Sequence, residues 1–190
     1  MSKFHNVLDA STLAKKYRQE TGWQIIQSLF RKSDKKECTL HILNVTIPEI
    51  VGAFVRWELK GEIGKGQWKE LKNLFIEDIK NYRVVIHNIT DRNIIRTDDV
   101  WEKSMPIKAT QSQGEEKIKC PHCDKEIITY KRKPRVGPID VMVLSVGLEL
   151  KLIYGHGNVY LFTSDNHMLK VADRLKIKTC NPEAVTEMPF

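Results

Sequence analysis

The chain has 190 residues, 41% hydrophobic and 29% charged, with a formal net charge of +7. That length suits one substantial core rather than two full domains, and the positive balance favours an anionic partner, nucleic acid before membrane. No apolar run approaches the roughly 20 residues of a membrane helix, and Met1–Asp9 meets an acid too early for a signal peptide.

Phe4–Leu8 is a short apolar run that predicts a first strand, with a helix over Leu13–Arg18 after it. Asp9 lies where strand hands over to helix. There it serves either as an N-cap, accepting first-turn amide hydrogens, or as a metal ligand. Thr21–Arg31 predicts a helix that buries Trp23, Ile26, Leu29 and Phe30 along one face. Thr39–Thr46 is rich in β-formers and predicts a second strand. The next helix starts at Ile47-Pro48-Glu49, with proline in the first turn. Glu49 there has a structural use, since the helix dipole stabilises its charge. It nevertheless repeats the placement of Asp9, an acid just beyond a strand.

Gly61–Gly66 punctuates the chain before an amphipathic helix, Gln67–Tyr82, with Trp68, Leu71, Leu74, Phe75 and Ile79 expected inward. Arg83–Thr90 predicts a third strand, and Asp91–Lys103 a helix with Ile94, Ile95, Val100 and Trp101 expected inward. Asp98 and Asp99 on that helix are either solvated or near the same rim as Asp9 and Glu49.

Ser104–Val136 breaks the rhythm. It is polar, contains Cys120-Pro121-His122-Cys123 and ends in the basic run Lys131, Arg132, Lys133, Pro134, Arg135. It lacks apolar residues for a core of its own and reads as an inserted polar and basic loop, or a small CxxC subdomain, within a single 1–190 domain. Four cysteines do not make a disulfide framework in a chain this long, so a reducing cytoplasm is expected. The Cys120/Cys123 pair is half of a zinc site, a pair of reduced surface thiols or a decayed knuckle. A closed Zn²⁺ site would need Cys38, Cys180, a histidine or a partner chain to complete it. The basic run is a solvated loop or a phosphate-backbone contact.

From Gly137 the pattern becomes helix, strand, helix, strand. Gly137-Pro138-Ile139-Asp140 opens the apolar run Val141–Leu152; Asn158–Asp165 holds a strand; Asn166–Leu175 is helical; Lys176–Pro182 closes the chain with another strand. Strands alternating with helices predict an α/β fold with a mostly parallel sheet covered on both faces. Ligands of such sheets collect beyond the carboxyl ends of the strands. Asp9, Glu49, Asp140 and Asp165 all fall at such ends or in the helix turns just after them. Four carboxylates on one rim repel one another unless a cation sits among them, and Mg²⁺ or Mn²⁺ suits carboxylate oxygens and water. An acidic pocket inside a basic protein fits a metal-dependent nuclease.

The arrangement resembles the PIN domain, the nuclease family that includes VapC-type toxins. The residues that carry the resemblance are Val7-Leu8-Asp9-Ala10-Ser11, Pro48-Glu49-Ile50, Pro138-Ile139-Asp140, Tyr160-Leu161-Phe162-Thr163-Ser164-Asp165 and Ile177-Lys178-Thr179-Cys180-Asn181-Pro182. It covers nearly the whole chain apart from Ser104–Val136, which a compact VapC-type toxin would lack. The resemblance implies a three-layer α/β/α sandwich with about five strands. It implies Asp9, Glu49, Asp140 and Asp165 as catalytic and metal-binding acids for Mg²⁺ or Mn²⁺, with Ser11 and Thr163 as polar supports. It also implies RNA phosphodiester hydrolysis, a homodimer and, for a toxin, a small antitoxin partner. An RNA-processing PIN nuclease that is not a toxin fits the same resemblance, and two readings outside the family stand beside it. One is a non-catalytic RNA-binding or scaffold protein that uses the basic insertion. The other is a phosphatase built on Asp9, which expects a second acid where this chain has Ser11.

Overall fold

The computed structural model describes residues 4–81, 84–104, 115–119, 126–130 and 136–190. Five strands form one fully parallel sheet: β1 (Phe4–Leu8), β2 (Cys38–Leu43), β3 (Val84–His87), β6 (Val159–Phe162) and β7 (Lys178–Cys180). A separate antiparallel hairpin, β4 (Glu115–Lys119) with β5 (Glu126–Tyr130), occupies part of the expected insertion. Seven helices complete the described residues: α1 (Ala10–Ala14), α2 (Trp23–Asp34), α3 (Thr46–Leu59), α4 (Gln67–Lys80), α5 (Asp91–Ser104), α6 (Pro138–Tyr154) and α7 (Asn166–Arg174).

The order across the sheet is β3-β2-β1-β6-β7. The chain steps outward from β1 to β3, then returns to the other side of β1 to lay down β6 and β7. The direction therefore reverses between β1 and β6, and the crevice beyond their carboxyl ends is where a parallel sheet of this kind opens to a ligand.

Alternation along the strands builds two cores. Leu8, Leu40, Ile42, Tyr160 and Phe162 point to the face covered by α1 to α4, where Phe54 and Phe75 are fully buried. Val7, Leu43, Val159 and Leu161 point to the other face, against α5, α6 and α7. Every residue of β6 is buried, as a central strand covered on both sides requires. The result is the α/β/α sandwich expected from the sequence.

Several elements differ from expectation. The first helix begins at Ala10 and ends after Ala14, because Asp9 caps it immediately after β1. Thr46 starts α3 rather than ending β2. Leu74, Ile94 and Ile95, expected inward, are exposed at 51%, 53% and 71%; each lies beside the buried stripe of its helix and has no described element over it. Gly22 is the N-cap of α2 at φ 85°, and a Cβ there would stand 2.4 Å from the Pro182 carbonyl oxygen. Only glycine fits that seam between α2 and the chain after β7.

Candidate active site

Asp9 follows β1 directly and is the N-cap of α1. Its Oδ1 accepts the Thr12 amide hydrogen at 2.7 Å, and the Ser11 hydroxyl lies 3.1 and 3.0 Å from its two oxygens. The Thr163 hydroxyl, fully buried after β6, donates to Oδ2 at 2.6 Å. Burial pushes the Asp9 carboxyl above the usual aspartate range, while the hydrogen bonds from Thr163, Thr12 and Ser11 pull it back towards the ionised form. The same Thr163 oxygen accepts the Asp165 amide hydrogen at 3.1 Å. One hydroxyl thus ties the acid after β1 to the backbone of the acid after β6.

Asp165 is exposed and caps α7, its Oδ1 accepting from the His167 and Met168 amides at 2.6 and 2.9 Å. Asp140 stands in the first turn of α6 and is half-buried; its Oδ2 accepts the Gly137 amide hydrogen at 2.8 Å. Burial raises its pKa, the Gly137 bond opposes that, and the charges of Asp165 and Asp9 raise it further. Glu49, half-buried in the first turn of α3, is raised by burial, then by Asp140 and Asp9, with Arg56 acting the other way. The four acids come from four different parts of the chain and line one cleft of about 320 Å³, together with Ser11. Its apolar wall includes Ile139, Val143 and Met168.

Structural and chemical uses coincide here. Asp9 and Asp165 are both caps, yet each caps through one oxygen that accepts backbone hydrogens and presents the carboxylate at the rim of the sheet. Among the described residues, no three histidine, cysteine, aspartate or glutamate side chains converge tightly enough to hold an ion by themselves. The hydrogen bonds account for that spread, since Thr12, Gly137, His167 and Met168 each fix a carboxylate against its own helix. Mg²⁺ keeps several waters and takes only one or two carboxylates directly. The donor set, all hard oxygen, fits an ion of that class and not a closed shell of protein ligands.

Sequence reasoning missed Arg56, the sole cation among the cleft's lining residues. The signal was present: Arg56 follows Glu49 by two helical turns and so shares its face of α3. Asp98 and Asp99 are exposed on α5 and take no part in the cleft. Cys38 and Cys180 are buried on β2 and β7, with two strands between them, so they cannot meet at one zinc ion. Cys120, Cys123 and the basic residues Lys131, Arg132, Lys133 and Arg135 lie outside the described residues.

No family model matches the chain, and no curated protein does. Solved structures do: one chain of the crystal structure of VapBC2 from Rickettsia felis bound to a DNA fragment from their promoter aligns with a TM-score of 0.52. The alignment covers 93% of this chain and 98% of that one, at 11% sequence identity. The fold is PIN-like. At that identity the likeness speaks for the architecture alone, and the chemistry rests on the residues in the cleft.

Proposed function

We propose that this protein is a metal-dependent endoribonuclease that hydrolyses RNA phosphodiesters at the cleft formed by Asp9, Glu49, Asp140 and Asp165. The observation that supports this most is electrostatic. Carboxylates from separate elements line one cleft, where burial first and then the neighbouring acids raise the pKa values of Glu49 and Asp140, within a chain of net charge +7. Such an arrangement costs stability unless a cation relieves it. Asp9, Asp140 and Asp165 would hold Mg²⁺ or Mn²⁺, with Ser11 and Thr163 keeping Asp9 oriented and ionised. When bound, such an ion polarises the phosphate and lowers the pKa of an attacking water. Glu49, placed to act beside the ion rather than as a direct ligand, would accept a proton from the attacking water as its oxygen bonds to phosphorus, and would pass a proton to the bridging ester oxygen as that bond breaks, a role its raised pKa favours.

Asp9→Asn and Asp165→Asn test the reading, because asparagine caps a helix about as well as aspartate. Each variant should fold like the parent by circular dichroism and cut labelled single-stranded RNA in Mg²⁺ at least ~100-fold more slowly. Parental rates from both folded variants would end the catalytic proposal.

One observation favours a second reading, RNA binding without cleavage: the carboxylates do not close on a common point. Calorimetric titration separates the two. RNA affinity that ignores Mg²⁺ and survives loss of the acids selects the binding protein. The likeness to a chain from a VapBC complex further supports, as part of the proposal, a small antitoxin partner and a toxin role. Co-expression with the product of the adjacent upstream reading frame, followed by size exclusion, tests that pairing and the homodimer together.

A further inference from the structure

Helix α3 carries more than Glu49. At about 3.6 residues per turn, Glu49, Ala53, Arg56 and Lys60 fall on one stripe, the last at the helix C-cap. The stripe begins at the acidic cleft, where Glu49, Ala53 and Arg56 all line the wall. Arg56 is exposed, and its Nη1 lies over Gly52, 3.3 Å from where a Cβ would stand. The guanidinium is therefore folded back along the helix towards Glu49, in space that a larger residue at position 52 would contest. Among the described residues, neither Arg56 nor Lys60 closes an ion pair or a side-chain hydrogen bond. A guanidinium on the wall of a cleft lined by four carboxylates, coupled by charge to Glu49 but in ion-pair contact with none of them, is available to an anion brought from outside, and its planar fork suits a phosphate.

We propose that Arg56 and Lys60 form a phosphate rail along α3, which holds the nucleotides flanking the scissile phosphate of an RNA strand. This rests on the nuclease reading and adds the direction in which the substrate lies. Arg56 and Lys60 are separated by about 6 Å of helix rise, and Glu49 and Arg56 by about 10.5 Å. A strand whose cut phosphate sits among the acids can thus reach Arg56 and then Lys60 in succession.

The test compares the parent with Arg56→Gln, Arg56→Lys, Lys60→Gln and the double Gln variant, all exposed positions whose folding is checked by thermal melts. With single-stranded RNA and Mg²⁺, Arg56→Gln should raise KM about 5- to 10-fold and change kcat less, and Arg56→Lys should recover most of that loss. Lys60→Gln should raise KM about 2- to 3-fold, with the effect shrinking as the RNA is shortened. In chelator, the slope of log K against log salt should fall by about 0.7 for each cation removed. Parental KM and parental salt slope in the double variant would overturn the rail while leaving the nuclease standing. A parent that cuts no RNA in Mg²⁺ or Mn²⁺ would remove the nuclease reading and the rail together.

Discussion

The two ends of α6 solve opposite electrostatic problems. Its first turn brings Asp140 into the acidic cleft, where burial and neighbouring charge raise the carboxyl's pKa. Its last turn, roughly 20 Å away by helix rise, reaches a groove lined by His5, His41, His87, Ile153 and Tyr154. There His5 Nδ1 lies 3.0 Å from His41 Nε2, and His41 Nδ1 lies 2.8 Å from His87 Nε2, so three imidazoles on adjacent strands form one hydrogen-bonded row. Tyr154 stacks on His5 with ring centroids 3.5 Å apart. A neutral imidazole has one donor and one acceptor nitrogen, so all three rings can be hydrogen-bonded along the row while uncharged. Burial lowers the His87 pKa, with Glu149 opposing, and so favours the neutral form of that ring. One end of the helix therefore gathers like charge and the other excludes charge. Stored repulsion is a mark of a site that binds something, and satisfied neutrality a mark of a core.

The largest effect that would break this contrast is at Thr163. Its hydroxyl serves both Asp9 and the Asp165 amide. Thr163→Val should therefore slow RNA cleavage about 10- to 100-fold and destabilise the fold by about 1–3 kcal/mol, measured by single-turnover kinetics and urea melts. An unchanged rate would mean that the orientation of Asp9 does not matter, and the acidic end would be ordinary capping.

Removing repulsion should stabilise the acidic end. Asp140→Asn keeps an acceptor for the Gly137 amide and deletes a charge, so its melting temperature should rise, by about 2–4 °C for each kcal/mol gained. Mg²⁺ should raise the parent's melting temperature more than that of the variant. A fall in both would show that Asp140 is a cap whose charge is welcome.

The two ends should also titrate in opposite senses. Asp9, Glu49 and Asp140 have folded pKa values above their ordinary ones, so they favour the folded state at low pH. That contribution fades as pH rises from the ordinary carboxylate range through the folded values. His87 is lowered, so it costs stability as pH falls below its ordinary 6.5. His87→Gln should flatten the stability–pH curve below that point, and Glu49→Gln should flatten it nearer the carboxylate range. If both variants follow the parental curve, the ends are not electrostatically distinct.

The smallest effect concerns Cys180. Burial pushes its thiol up to about 11, so in the native protein it should resist alkylation at pH 8 and react only on unfolding, as read by intact mass.

Much of this molecule was legible without coordinates. The β-rich runs at Phe4–Leu8 and Val159–Phe162, the Pro138 helix start and the acids placed after strands are local signals, set by chain stiffness, capping and side-chain period. They sufficed for an α/β/α sandwich and for choosing Asp9, Glu49, Asp140 and Asp165. They misplaced Leu74, Ile94 and Ile95, because helical period marks an apolar stripe but not how wide a cover it receives.

Other features depended on three dimensions. Thr163 became the link between two acids only when β6 was laid beside β1, 154 residues apart in sequence. The histidine row required β1, β2 and β3 in a particular parallel register. Arg56 shared a visible helical face with Glu49, but only the folded cleft gave that face something to surround. Sequence settles what short stretches of backbone prefer, since those energies are local. Which distant charges meet, and whether they repel or share protons, is decided when strand order brings them within a few ångströms, where burial and Coulomb forces act.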